Sequence, residues 1–189
     1  MSRLPVGILL AAGQSERFGS NKLLHRINNN TPMLMVTGEK LVNVLPDSLV
    51  IINTGLVSYT EELEQLGLRV ILNEDANRGM GSSIACGVHA SQDAMGWLIA
   101  LADMPYIKTG TIRQLVNRIV DGARIVAPVF EKKRGHPVGF NHQFKNELIT
   151  LNSDVGARHL ITKYKEQFEL IPTDDAGVIL DVDYESDIS

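Results

Sequence analysis

The chain predicts an α/β fold, a mainly parallel central sheet with helices on both faces. Two observations predict it: short apolar runs of strand length recur along the chain, and stretches of helical period separate them. A third agrees, because the residues just after several runs are small or charged, as at the strand ends where such sheets bind ligands.

Val6-Gly7-Ile8-Leu9-Leu10-Ala11 is almost wholly apolar, the pattern of a strand buried on both faces. Asn28-Asn29-Asn30 reads as a polar turn. Thr31 and Pro32 then form a cap and first-turn pair, with Val36, Lys40, Leu41, Val44 and Leu45 continuing at roughly helical spacing. Residues 49–52 are the second strand, 61–66 a short helix and 69–72 the third strand. Ser82 or Ser83 caps a helix running through Ala90. Residues 97–101 are the fourth strand. Thr109 caps a helix whose Ile112, Leu115, Val116 and Ile119 make one apolar stripe, and 125–129 follow as the fifth strand. A strand-like stretch follows Pro137, and 154–158 resemble a capped helix start. Residues 178–183 read as a last strand ending in carboxylates, with Asp181 and Asp183 on one side by period two.

With 189 residues and no repeat or linker, the chain is read as one domain spanning 1–189. Its 44% hydrophobic and 21% charged content are those of a soluble globular protein. A net charge of −4 argues against a general nucleic-acid binder. The single cysteine, Cys86, excludes an internal disulfide framework and reads as a small buried thiol. The first residues leave no room for a signal peptide, and no apolar run approaches the ~20 residues that span a bilayer. A cytoplasmic location is expected.

The first strand opens into Ala12-Gly13-Gln14-Ser15, with Arg17, Gly19 and Lys22 beyond. Small residues let backbone amides approach a ligand, and two cations suit a nucleoside triphosphate. Spacing excludes the two commonest phosphate loops: Gly13 and Gly19 lie too far apart for a Walker loop, and no G-x-G-x-x-G is present. The plain alternative is a strand-to-helix loop with solvated cations. A second glycine-containing loop, Gly79-Met80-Gly81-Ser82-Ser83, opens a helix whose amides suit acceptor atoms. Asp103 emerges directly from a buried strand, where a carboxylate is expensive unless it caps, pairs or binds a cation. Near two phosphate-binding cations it reads as a Mg²⁺ ligand, against a turn aspartate before Pro105. His136, beside Arg134 and Gly135, could contact an anionic acceptor, and Arg158 could hold a phosphate or a salt bridge.

LLAAGQSERFGSNKLL resembles the L-A-A-G-x-S-x-R-F/M-G-x-x-K signature of nucleotidyltransferases that activate pterin cofactors and sugar phosphates. GMGSSIACGV, LADMP, RGHPVGF, DVGAR and DVDYESD resemble, in order, blocks of the molybdenum cofactor cytidylyltransferase family. The resemblance implies a Rossmann-like three-layer nucleotidyltransferase fold. It implies magnesium-dependent transfer from CTP, with GTP second, to the terminal phosphate of molybdopterin, releasing pyrophosphate. Ala11-Ala12 in place of Gly-Gly looks like the CTP branch. Carried over, Leu10, Ala11, Ala12 and Gly13 contact the nucleotide, Arg17 and Lys22 hold its triphosphate, and Gly81, Ser82 and Ser83 border the base. Asp103 and Asp183 hold Mg²⁺, while Gly135, His136, Asp154, Gly156 and Arg158 face the acceptor. A molybdoenzyme would receive the product. Asn21, Ser153 and Tyr184-Glu185 depart from the family pattern. Rival readings are transfer to a sugar, polyol or phospholactate-type phosphate, and a non-catalytic cofactor-maturation chaperone.

Overall fold

In the computed structural model, which describes residues 4–13, 21–27, 30–153 and 156–182, the apolar runs before residue 130 become strands, the central ones covered on both sides. The chain runs through β1 (Val6–Leu10), a hairpin of β2 (Arg26–Ile27) and β3 (Thr31–Pro32), α1 (Met33–Val42) and β4 (Leu49–Ile52). Next come α2 (Thr60–Gln65), β5 (Arg69–Leu72), α3 (Met80–His89), β6 (Gly96–Leu101), α4 (Thr109–Val120) and β7 (Ile125–Phe130). It continues as β8 (Lys133–Arg134), β9 (Val138–Asn141), α5 (Lys145–Ile149), α6 (Arg158–Lys163) and β10 (Phe168–Pro172). The main sheet is ordered β10-β7-β9-β6-β1-β4-β5, with β8 beside β7. Parallel pairing joins β5, β4, β1 and β6, and also β7 and β10, whereas β9 and β8 run against their neighbours. The sheet is mainly parallel, as expected.

Successive strand residues point to opposite faces, and here both faces are core. Leu9, Val50, Ile52, Leu98 and Ala100 pack with Leu34 and Leu41 of α1, Leu63 of α2 and the Ile112/Leu115/Val116/Ile119 stripe of α4. Ile8, Leu49, Ile51, Trp97 and Ile99 pack the other way, against Ile84 and Val88 of α3, Leu148 of α5 and Leu160 of α6. Each such side chain contributes on the order of 2 kcal/mol by leaving water. The central strands, and therefore their carboxyl ends, are held from both sides. Among the described residues, no helix is long and apolar enough to cross a membrane.

Four local expectations change. Thr31 and Pro32 pair with Ile27 and Arg26 in the hairpin, and α1 starts at Met33 without a side-chain cap. Ser82 and Ser83 lie inside α3, which begins after Gly79, whose φ of +97° favours glycine. Thr109 is the first residue of α4 rather than its cap. The capping acceptor comes from far along the chain: Asp175 Oδ2 accepts from the Lys108 N–H at 2.8 Å and from the Thr111 hydroxyl at 2.6 Å. Residues 176–179 form a 3₁₀ turn, not a strand. Asp175 Oδ1 accepts the Gly177 N–H and starts that turn, and a Cβ on Gly177 would collide with the Tyr106 carbonyl. The period-two pairing of Asp181 with Asp183 therefore lapses. Asp183, like Arg17 and Asp154, lies outside the described residues.

Candidate active site

Leu10 of β1 pairs with Leu101 of β6, and the Ala102 N–H extends the ladder by donating to the Leu10 carbonyl at 3.1 Å. Asp103 therefore leaves the sheet beside the loop that follows β1. Its backbone is braced from three directions. The Thr37 hydroxyl donates to the Ala102 carbonyl at 3.1 Å, the Val182 N–H donates to the Asp103 carbonyl at 2.9 Å, and Lys40 Nζ donates to the Pro105 and Ile107 carbonyls. Burial lowers the Lys40 pKa, with the negative charge of Asp175 opposing.

The Asp103 carboxylate is divided in its surroundings. Oδ2 pairs with Lys22 Nζ at 2.8 Å, in side chains only 17% (Lys22) and 22% (Asp103) exposed. Oδ1 is buried with no hydrogen-bond partner among the described residues. A buried lone carboxylate oxygen is costly, and it is a ready acceptor for a cation or a ligand proton.

Asp103 lines a cleft of about 540 Å³. Leu10, Ala12, Gly13 and Leu101 form its sheet side, and Ala76, Asn77, Gly79, Met80 and Ser83 form the opposite wall. The cleft lies where β4 and β5 continue on one side of β1 and β6 on the other, the reversal of strand order at which such sheets bind ligands. A Cβ on Gly13 would meet nothing within 4 Å. Of the residues expected around the nucleotide, Leu10, Ala12, Gly13 and Ser83 line this space. Ala11 is buried, with its N–H donating to the Ile51 carbonyl. Gly81 faces the Ser153 backbone, to whose carbonyl its N–H donates at 2.8 Å. Ser82 lines a separate groove on the far side of α3, which also holds the half-buried Cys86. Lys22 meets Asp103.

A second cleft of about 340 Å³ adjoins the first, and Met80 and Leu101 line both. Arg134, His136, Val138 and Phe140 form one side, and Ala157, Arg158 and Ile161 the other, over Ile84 and Ile99. Because β9 is antiparallel to β6, the residues that precede it stand at the edge where the parallel strands end. Burial first, then the charge of Arg134, lower the His136 pKa to about 4, with Asp103 opposing. The imidazole is neutral at pH 7, and its buried Nδ1 has no hydrogen-bond partner among the described residues. Burial and the neighbouring Arg158 charge lower the Arg134 pKa. Two guanidiniums against an apolar wall make an anion-binding surface. Gly135 sits beneath the Val178 carbonyl, with which a Cβ would collide, and Gly156 holds φ of +54° against Met80. Neither glycine lines the cleft.

Sequence reasoning missed Asn73 and Asn77, and the bracing roles of Thr37, Lys40 and Asp175. Asn73 carried one signal, a polar side chain directly after an apolar strand.

Residues 7–168 match the MobA-like NTP transferase domain. A molybdenum cofactor guanylyltransferase of Desulfosudis oleivorans is 30% identical over 132 residues, 68% of this chain and 60% of that protein, so the chain spans less than two thirds of that relative. A nicotine blue oxidoreductase of Paenarthrobacter nicotinovorans is 26% identical over 94% of this chain and 91% of that protein. Rv0371c of Mycobacterium tuberculosis H37Rv superposes with a TM-score of 0.85 at 26% identity, covering 99% of this chain and 96% of the other. The structure of that protein in complex with manganese gives 0.80 at 24% identity, covering 97% and 95%. With the domain matched over most of its length, the chain belongs to the MobA-like NTP transferase domain family.

Proposed function

We propose that the protein transfers a nucleotidyl group from CTP, with GTP as second donor, to the terminal phosphate of a molybdopterin-type acceptor and releases pyrophosphate. The observation that carries this reading is the adjacency of the two clefts. One holds a strand-end carboxylate paired with Lys22, the other holds two arginines and a neutral histidine, and Met80 and Leu101 line both. A donor and an anionic acceptor bound there would meet at the shared wall. Ala11-Ala12 favours CTP, and the name of the D. oleivorans relative keeps GTP in contention.

The site fits Mg²⁺. No cluster of three or more His, Cys, Asp or Glu occurs among the described residues. Magnesium needs only one or two carboxylates when substrate phosphates supply further ligands, and the unpartnered Asp103 oxygen suits that share. Asp183 is proposed as the second carboxylate, because its neighbour Val182 is hydrogen-bonded to Asp103. The bound cation would offset charge on the phosphates and on departing pyrophosphate. In this reading Lys22 leaves Asp103 for the triphosphate, which Arg17 also holds, while the backbone at Leu10, Ala11, Ala12 and Gly13 and the Ser83 side chain in the first turn of α3 frame the nucleoside. On the acceptor side Arg158 and Arg134 take the anion and His136 supplies a neutral hydrogen-bonding group. Gly135, Asp154 and Gly156 shape that side, and the product passes to a molybdoenzyme. An acceptor phosphate is already ionised at neutral pH, so no general base is required.

Purified protein given Mg²⁺, the pterin acceptor and CTP or GTP should release pyrophosphate. Absence of turnover with both nucleotides at millimolar concentration would overturn the reading, and release only with a sugar or polyol phosphate would reassign the acceptor. Lys22→Ala should weaken nucleotide binding by ~10- to 100-fold, the range for losing a charged hydrogen bond. Unchanged affinity by calorimetry would remove Lys22 from the site.

A further inference from the structure

The side-chain amide of Asn73 settles the direction of a hydroxyl inside the first cleft. Asn73 is 6% exposed, just after β5. Its Oδ1 accepts the Asp75 N–H at 3.1 Å. A backbone N–H can only donate, so the amide orientation is fixed and Nδ2 must face the other way. There it donates to Ser82 Oγ at 3.0 Å and to Ser83 Oγ at 3.1 Å.

The two serines then differ. The Ser82 hydroxyl gives its hydrogen to the Asp75 and Gly79 carbonyls, at 3.0 and 2.9 Å, and is saturated. Ser83 accepts from Asn73 and has no acceptor for its own hydrogen among the described residues, although it is only 5% exposed and lines the cleft. With a lone pair taken by the amide, its hydrogen is left for whatever fills that wall. The Ser83 hydrogen is the part of that hydroxyl still open to a ligand acceptor.

The place of this donor follows from the sheet. Asn73 follows β5 and Asp103 follows β6, three strand steps apart in the order β6-β1-β4-β5. At ~4.8 Å per step the two ends lie roughly 14 Å apart, about the reach of a nucleotide from metal-bound phosphates to base. The Asp103–Lys22 end suits phosphates, which leaves the Ser83 end for the base.

We propose that Asn73 is a positioning residue that holds Ser83 as a hydrogen-bond donor toward the nucleotide base, selecting a base that presents a carbonyl oxygen over adenine. The inference rests on the nucleotide-site reading of this cleft. Cytosine and guanine each bring a carbonyl oxygen that can take the Ser83 hydrogen, whereas adenine has none. Asn73→Asp is nearly isosteric and reverses the polarity, since a carboxylate takes the hydroxyl hydrogen instead of supplying one. Ser83→Ala deletes the donor and leaves Asn73 in place.

Calorimetry on the folded chain with CTP, GTP, ATP and base-free ribose 5-triphosphate tests this, with circular dichroism confirming that each variant is folded. Wild type should bind CTP or GTP more tightly than ATP and the base-free probe. Ser83→Ala and Asn73→Asp should each weaken the preferred nucleotide by ~10-fold, the scale of one hydrogen bond, and leave the base-free probe unchanged. The double variant should do no worse than either single one, because both act on one bond. A variant that keeps the wild-type ratio of nucleotide to base-free affinity overturns the inference and leaves the nucleotide site standing. So does a wild type that binds all four probes alike. A wild type that binds none of them overturns the nucleotide-site reading itself.

Discussion

Between Arg134 and Asp103, the His136 imidazole loses solvent without gaining a hydrogen-bond partner for Nδ1, and burial with the Arg134 charge lowers its pKa from 6.5 to about 4. An unfolded chain protonates this group near 6.5 and the folded chain only near 4. Between those values the unfolded state binds more protons, so stability falls as pH drops from 6.5 toward 4 and is insensitive to this group above 7. The metal-free protein should therefore melt at progressively lower temperature across that window, and His136→Gln should flatten the slope. A wild-type profile already flat from pH 6.5 to 4.5 would contradict the burial. At this scale the sequence was readable where cost is visible in one dimension. A carboxylate at the end of an apolar run marked Asp103, and a histidine between cations and a strand marked His136. Asn73 escaped because its meaning lies in which atom of the amide meets a backbone N–H, a fact of three dimensions.

Among the elements, the apolar runs that became β1, β4, β5, β6 and β7 were legible, while β2, β3, β8, β10 and the helix caps were not. Residues buried on both faces leave a continuous apolar run, as at 49–52, 97–101 and 125–129, and the half-exposed edge run at 69–72 reads the same way; these became β4, β6, β7 and β5 within a residue at either end. Helix starts depend on one acceptor, and that acceptor need not be local. The start of α4 is served by Asp175, 67 residues from Lys108 and 1% exposed. The same carboxylate orders the 176–179 turn, so an apolar stretch that reads as strand is bent before it can pair. Asp175→Ala would strand the Lys108 and Gly177 N–H groups and the Thr111 hydroxyl. The expected loss is about 2–4 kcal/mol of unfolding free energy in urea, from buried polar groups left without partners. A loss under about 0.5 kcal/mol would show that the turn and the helix start hold without it.

For the whole molecule, alternation of strand and helix disclosed the class but not the strand order. Sheet order depends on which crossover lies on which face, and local sequence does not encode that. The order brings two clefts together at one edge, with Met80 at the opening of α3 and Leu101 at the end of β6 common to both. Met80 is 42% exposed, and an unbranched thioether chain repacks easily around a new neighbour. A wall owned by two compartments makes each occupant a neighbour of the other. Whichever ligand enters first sets the shape of the side chain that the second one meets, so the KM for each ligand should depend on the concentration of the other. Met80→Ala, which removes the adjustable part of that wall, should raise KM for nucleotide and acceptor together and weaken that mutual dependence. Initial rates with both substrates varied would show it, and a KM change confined to one substrate would mean that the compartments fill independently.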